Sequence, residues 1–253
     1  MLPKGTELAT YATAEYSQLL ATCVIGCRNI WDTSPIIYTD SADIQALAST
    51  MGCECRMIEM HTFPHVTSLE ILRSSPADVL LMIDADCWPL SKKPLDAVLV
   101  HMADPECAFS GHIGSLDIPY LFRGIKGEPF SALRSVLRSH PRFAQLWLEA
   151  DETIGGTLNT GCVVNVPLLY GGFAGYRPRF FSKMDIPSWV YSADIWSSIF
   201  AIENDLLIRH AGDWHFQQNL DGQAGLCHWI GHGLDFAYPI EVYRKIVGEA
   251  SFT

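Results

Sequence analysis

The sequence predicts an α/β fold with an open, mostly parallel central sheet and helices on both of its faces. Strand-like and helix-like segments alternate through the first half of the chain, which is the order of a sheet built from β-α-β units. The run Val79–Ile83 is apolar throughout and bounded by polar residues, as expected for a strand covered on both faces. A chain of 253 residues fits one such domain, and no repeat or shift in composition marks a second one.

The first predicted strand, Glu7–Tyr11, is followed by a predicted helix. Thr13 is a suitable N-cap for that helix, because a threonine hydroxyl can accept from a free backbone N–H of the first turn. Apolar side chains then recur at helical spacing and mark one buried face: Tyr16, Leu19, Leu20, Cys23, Val24 and Cys27.

The next segments repeat this alternation. Pro35–Thr39 and Cys55–Met60 have strand patterns, and between them a short amphipathic helix ends at Gly52. Ser68–Ser74 has a helical pattern and leads to the apolar strand Val79–Ile83. Ligands of such sheets bind beyond the carboxyl ends of the strands, so the residues after each strand are the first candidates for a site.

The second half of the chain is less regular. Cys162–Val166 and Leu206–Ile208 are predicted strands, and Phe130–Ser139 is a candidate basic helix. The stretch Gly172–Tyr191 combines aromatic and basic residues. It suits either a sugar-binding lip, because sugars stack on aromatic rings, or a crowded surface subdomain.

Composition excludes several classes of protein. A net charge of −11 argues against a nucleic-acid binder and against electrostatic docking to anionic lipid. No segment approaches the roughly 18 consecutive apolar residues of a membrane span, and Met1–Thr10 lacks the apolar region of a signal peptide. The eight cysteines lie mostly in apolar runs without zinc-ligand spacing. We therefore expect a cytoplasmic protein with reduced thiols.

The triplet Asp84-Ala85-Asp86 directly follows the apolar strand. In an extended segment, residues two apart project to the same side, so both carboxylates can converge on one divalent cation. Such a cation relieves their mutual repulsion and can grip a diphosphate. The alternative is a turn in which an aspartate caps the following segment.

Four segments resemble the GT-A glycosyltransferases, and particularly family eight of that group. They are Leu80–Asp86, Leu158–Asn165, Ser192–Asp194 and Cys227–His232, in the order that the family has them. Trp214–Gln217 adds weaker support. Two positions depart from the family pattern: Ile195 replaces a glutamine, and Leu234 replaces a lysine that binds the diphosphate.

The resemblance implies a metal site formed by Asp84, Asp86 and His228, occupied by Mn²⁺ or Mg²⁺. It also implies that Asn159 and Asp194 contact the donor sugar and act in catalysis. From the residues alone, His228 could equally be a packed core histidine, Asn159 a turn residue and Asp194 a helix cap.

The donor is expected to lie along the first β-α units and near the metal. Its predicted contacts are Thr10, Tyr11, Thr13, Tyr16, Asp40, Asp84, Ala85, Gly161, Gly231 and His232. Tyr16 offers a ring for stacking, and Asp40 could accept from an N–H group of the base. Gly231 opens a loop that can bring backbone close to phosphates, where His232 could replace the missing lysine.

The resemblance thus implies a metal-dependent glycosyltransferase that uses a nucleotide-diphosphate sugar as donor. UDP is the commonest nucleotide of the family, and the transfer is expected to retain the anomeric configuration. Residues 1–100, approximately, would bind the nucleotide, and 101–253 the sugar and acceptor. A glycan, a lipid-linked sugar, a protein or a small molecule could be the acceptor. Two alternatives remain: a phosphatase of the haloacid-dehalogenase type, and a GT-A domain that binds a nucleotide sugar without turnover.

Overall fold

A computed structural model describes residues 2–59, 61, 64–117, 163–188, 190, 193–212, 215–217, 225–228 and 237–247. Its strands are β1 (Thr6–Tyr11), β2 (Ile36–Thr39), β3 (Cys55–Met57), β4 (Val79–Ile83), β5 (Cys87–Pro89), β6 (Cys107–Asp117), β7 (Val163–Tyr176), β8 (Leu207–His210), β9 (His215–Gln217) and β10 (Leu226–His228). Its α-helices are α1 (Ser17–Trp31), α2 (Ala42–Thr50), α3 (Pro64–Ser74), α4 (Lys93–Met102), α5 (Pro178–Phe181), α6 (Ala193–Glu203) and α7 (Ala237–Val247). None of these helices is long and apolar enough to cross a bilayer.

Seven strands form the central sheet in the order β3-β2-β1-β4-β7-β6-β8. The first four are mutually parallel, and β6 is parallel to β8. Only β7 runs antiparallel to its two neighbours among the described strands. The predicted alternation of the first half is confirmed, and so is the mostly parallel sheet.

Helices cover both faces of the sheet, as predicted. On one face, α1, α4 and α7 bury side chains against the sheet, including Trp31, Val98 and Tyr243. On the other face, α3, α5 and α6 do so, including Leu69 and Phe181. Both faces of β4 are therefore covered, which is why its sequence is apolar without alternation.

A second, three-stranded sheet has the order β5-β10-β9 and was not predicted. In it, β5 is antiparallel to β10, with His228 opposite Cys87. The Tyr243 hydroxyl donates to the Pro89 carbonyl, which fixes β5 against α7. At Gly26 of α1, a Cβ would overlap that hydroxyl and lie 2.9 Å from Pro89 Cδ. The close approach of α1 to β5 thus requires glycine.

Two local predictions need correction, and a third is not tested. Thr13 precedes a short 3-10 helix, Ala14–Tyr16, and makes no side-chain cap bond, so the α-helix begins only at Ser17. The strand predicted at Cys162–Val166 continues to Tyr176. Phe130–Ser139 lies outside the described residues.

The interpretation of Gly172–Tyr191 as a lip or a surface subdomain was wrong for its first part, Gly172–Pro178, and for Phe181, which belong to the core. Its first residues complete β7 in the centre of the sheet, and Phe181 is fully buried. Arg177 is only 8% exposed, and its guanidinium donates to the backbone carbonyls of Met102 (2.7 Å) and Asp104 (3.0 Å). A buried arginine that satisfies backbone carbonyls is part of the core, not of a sugar-binding surface.

Candidate metal and donor site

Asp84, Ala85 and Asp86 form the turn between β4 and β5, not the extended segment that we predicted. The Asp84 N–H still donates to the Gly172 carbonyl of β7, and the Cys87 N–H donates back to the Asp84 carbonyl, each at 2.9 Å. The chain turns here because β5 leaves the central sheet to pair with β10. Even so, the carboxylates of Asp84 and Asp86 come together, because their oxygens lie within 4.8 Å of each other.

The Cys87 thiol belongs to the same cluster, and the sequence had given no sign of it. Its Sγ lies within 4.8 Å of the carboxylate oxygens of Asp84 and Asp86, and its side chain is fully buried. Burial raises the pKa of Cys87 well above its usual range, and the two aspartates raise it further. The sulfur is therefore a protonated thiol, and the charged groups of the cluster are the two half-buried carboxylates.

The backbone of His228, the third predicted ligand, lies beside this turn. His228 is paired with Cys87 in the β5–β10 ladder. Residues directly opposite in an antiparallel pair have Cα atoms about 4.5–5.5 Å apart. The chain thus returns to the aspartate turn about 140 residues later, at the position where the resemblance placed a ligand.

Two tyrosines and a third aspartate share the electrostatic environment of the turn. Burial raises the pKa of Tyr11, at the end of β1, and the charges of Asp84, Asp194 and Asp86 add to the effect. Burial and the Asp86 charge raise the pKa of Tyr16 to about 12. Both phenols are therefore hydrogen-bond donors at neutral pH.

Asp194 lies in the first turn of α6, where the helix dipole favours a negative charge. Its backbone carbonyl accepts from the hydroxyls of Ser197 (3.1 Å) and Ser198 (2.6 Å). Burial raises the pKa of Tyr176 in β7, and the negative charge of the Asp194 carboxylate raises it further. The charge of Asp194 thus acts on the same side chains as the charges of Asp84 and Asp86, and its role at the donor sugar stays a prediction.

His65 is a site residue that the sequence analysis missed. It is the second residue of α3 and is half-buried. Burial lowers its pKa, while the nearby charge of Asp86 opposes that effect. A histidine just before an apolar helix face carried no motif, so only the fold reveals its proximity to Asp86.

The remaining predicted donor contacts lie at different depths. Thr10 is 1% exposed within β1, and its hydroxyl has no hydrogen-bond partner among the described residues. Thr13 donates to the Glu15 carboxylate at 3.4 Å, and Asp40 is exposed after β2. Ala85 is buried within the turn. The predicted residues Asn159, Gly161, Gly231 and His232 lie outside the described residues.

Comparison with known proteins shows which solved structures share this fold. No protein-family model matches the chain, and no curated protein matches its sequence significantly. The galactosyltransferase LgtC, solved with donor and acceptor sugar analogues, is 13% identical, with 95% of each chain covered and a TM-score of 0.52. Mouse xyloside xylosyltransferase 1, in its apo form, is 10% identical; 88% of this chain and 97% of that chain are covered, with a TM-score of 0.50.

The bifunctional glycosyltransferase WbbM, also in apo form, is 12% identical with a TM-score of 0.53. The match covers 98% of this chain and 51% of WbbM, so the chain spans about half of that protein. Identities this low show the fold alone and leave membership of family eight a hypothesis. The fold expectation is confirmed: the chain has the α/β architecture of the GT-A glycosyltransferases.

Proposed function

We propose that this protein is a glycosyltransferase that moves a sugar from a nucleotide-diphosphate donor onto an acceptor. One observation carries the proposal: the carboxylates of Asp84 and Asp86 converge at the carboxyl end of β4, in a fold shared with solved glycosyltransferases. Open α/β sheets bind their ligands at this edge. Two carboxylates at this edge suit a substrate whose phosphates bind to the protein through a shared divalent cation.

The residues present fit a divalent cation. Asp84 and Asp86 supply carboxylate oxygens, and His228, whose backbone lies opposite Cys87, is the proposed nitrogen ligand. One imidazole with two carboxylates suits Mn²⁺ better than Mg²⁺, which prefers oxygen ligands alone. When bound, such a cation neutralises the charge that develops on the departing diphosphate.

The other residues of the site bind and orient the donor. Tyr11 and Tyr16 are neutral phenols that can donate hydrogen bonds to phosphate or sugar oxygens. Asp194 can accept from sugar hydroxyls at the same edge, and Asn159 is proposed to do so with its amide. The base is proposed to lie against Tyr16 and Asp40.

The finer assignments follow from the family resemblance. The nucleotide is proposed to be UDP, and the transfer is proposed to retain the anomeric configuration. About residues 1–100 would form the nucleotide-binding half and 101–253 the sugar- and acceptor-binding half. Ala85, Gly161, Gly231 and His232 are proposed to contact the donor.

Donor hydrolysis tests the proposal. The protein is incubated with a panel of UDP- and GDP-sugars in Mn²⁺, in Mg²⁺ or in chelator, and release of the nucleotide diphosphate is measured. We expect metal-dependent release from one donor, and its loss in Asp86→Ala. The variant Asp185→Ala, which removes an exposed carboxylate elsewhere, is the matched control. Hydrolysis of simple phosphomonoesters would favour the phosphatase, and donor binding without release a non-catalytic domain.

A further inference from the structure

A groove separates α4 from the end of β8, away from the aspartate turn. Its volume is about 1080 Å³. Its polar lining consists of Ser91, Lys92, Lys93, Asp96 and His101 from α4 and the residues just before it, with His210 from β8. The proposed donor site uses none of these side chains.

The charge of the groove is opposite to that of the protein. The chain carries a net charge of −11, yet two exposed lysines, Lys92 and Lys93, face one carboxylate, Asp96, in this lining. Burial lowers the pKa of His101, and the charges of Arg209 and His210 lower it further. His101 is therefore a neutral imidazole, and the two lysines supply the positive charge.

Ser91 provides a hydroxyl that the fold leaves unused. Its backbone carbonyl accepts from Trp31 Nε1 at 2.9 Å, and its N–H donates to the Gly225 carbonyl at 3.3 Å. The Ser91 hydroxyl oxygen is buried and has no hydrogen-bond partner among the described residues. A buried hydroxyl without a partner costs free energy unless a ligand or water satisfies it.

The groove lies about three strand spacings from the strand that ends at the aspartate turn. Strand register places His210 beside Gly111, Gly111 beside Ala174, and Ala174 beside Met82. Three strand spacings amount to about 14 Å. Met82 is two residues before Asp84, so the end of β8 and the aspartate turn lie at the same edge of the sheet.

We propose that this groove binds an acceptor through an anionic group, a phosphate ester. Lysine ammonium groups bind phosphate as point charges. The Ser91 hydroxyl, which is closed to solvent in this structure, donates to a phosphate oxygen after rotation of its side chain. The existence of the anion site is independent of the proposed function, whereas its assignment to the acceptor rests on it.

Calorimetric titration with glycerol 3-phosphate, with glycerol and with inorganic phosphate tests the proposal. We expect glycerol 3-phosphate to bind and glycerol not to bind. The double variant Lys92→Gln/Lys93→Gln should bind about tenfold more weakly, the effect of losing two exposed charge pairs. The control Lys4→Gln/Lys183→Gln, which removes the same charge from exposed positions elsewhere, should bind as the unmodified protein does. Equal weakening in both variants would overturn the site.

The proposed anion site and the proposed donor site can be refuted independently of each other. Asp86→Ala should leave the affinity for glycerol 3-phosphate unchanged, since the groove contains no residue of the aspartate turn. Loss of glycerol 3-phosphate binding in that variant would instead place the anion at the donor site and overturn the groove. Inorganic phosphate binding as tightly as the ester would overturn the assignment to an acceptor. The absence of donor turnover would contradict the proposed function and leave the anion titration valid.

Discussion

The aspartate turn makes a prediction about stability that does not require the substrate to be known. In the absence of a cation, the carboxylates of Asp84 and Asp86 repel each other across no more than 4.8 Å. Coulomb's law gives about 1 kcal/mol for this distance in water and about 3.5 kcal/mol at an effective dielectric constant of about 20. Both side chains are half-buried, so the repulsion lies between these two figures, and the lower one is the minimum effect to expect. We therefore expect Asp86→Asn to stabilise the metal-free protein by at least about 1 kcal/mol.

Thermal unfolding in chelator and in excess Mn²⁺ measures this effect. For a chain of this length, about 1 kcal/mol corresponds to a rise in Tm of roughly 2–4 °C in chelator. In the unmodified protein, Mn²⁺ at one hundred times its Kd should add about 2.7 kcal/mol, and Asp86→Asn should lose that gain. Asp185→Asn should change neither value. A destabilised Asp86→Asn that kept its full response to Mn²⁺ would refute the reasoning.

Three further substitutions test the fold around the site. Arg177→Met should destabilise the protein by about 3–5 kcal/mol, because buried carbonyls lose charge-assisted hydrogen bonds. The control Arg179→Met, at an exposed position, should cost less than about 1 kcal/mol. Urea unfolding of both variants measures the difference. Gly26→Ala should cost about 1–3 kcal/mol in the same assay, because the new methyl group overlaps the Tyr243 hydroxyl. His101 has a lowered pKa in the folded state, so its contribution to stability is present above its ordinary pKa of about 6.5 and is lost as the pH falls through the folded value. Tm measured from about pH 7.5 to 5.5 should therefore fall less steeply in His101→Gln.

The parallel half of the fold was predictable because its strands and helices are determined by residues close together in sequence. Each of β1, β2 and β4 is short, contains buried apolar side chains and is followed by a recognisable helix or turn signal. The helix α2 shows this well, since Ser41 caps it through a bond to the Ile44 N–H and Gly52 follows it with a positive φ of 63°. Caps and periodicity of this kind depend on neighbours in sequence, so the sequence alone identifies them.

Long-range pairing could not be predicted in the same way. The segment Cys87–Pro89 is three residues long and ends in proline, which disfavours a strand in any local pattern. It is a strand because Leu226–His228 pairs with it. Likewise, the strand predicted at Cys162–Val166 stopped short of the observed one, because pairing with β4 and β6 on either side continues the strand to Tyr176.

The candidate site was predicted in composition more than in geometry. The spacing of Asp84 and Asp86 was correctly interpreted as convergent, although a turn and not an extended segment brings the carboxylates together. Asp194 was predicted from its place in the resemblance, and its charge does reach Tyr11. His65 was missed, because its proximity to Asp86 arises from the packing of α3 and not from any motif.

The residues beneath the turn explain why its two carboxylates should hold a cation firmly. Four fully buried cysteines, Cys23, Cys27, Cys87 and Cys227, belong to the core at this point, and the Cys23 thiol donates to the Asp84 carbonyl at 3.8 Å. A hydrogen bond with Cys27 and burial raise the pKa of Cys23, and burial raises that of Cys87, so these two groups of the floor are neutral thiols. A floor of low polarity strengthens both the repulsion between the aspartates and their attraction for a cation. Cation binding should therefore appear as stabilisation of the whole fold, which is why unfolding reports on the site without a substrate.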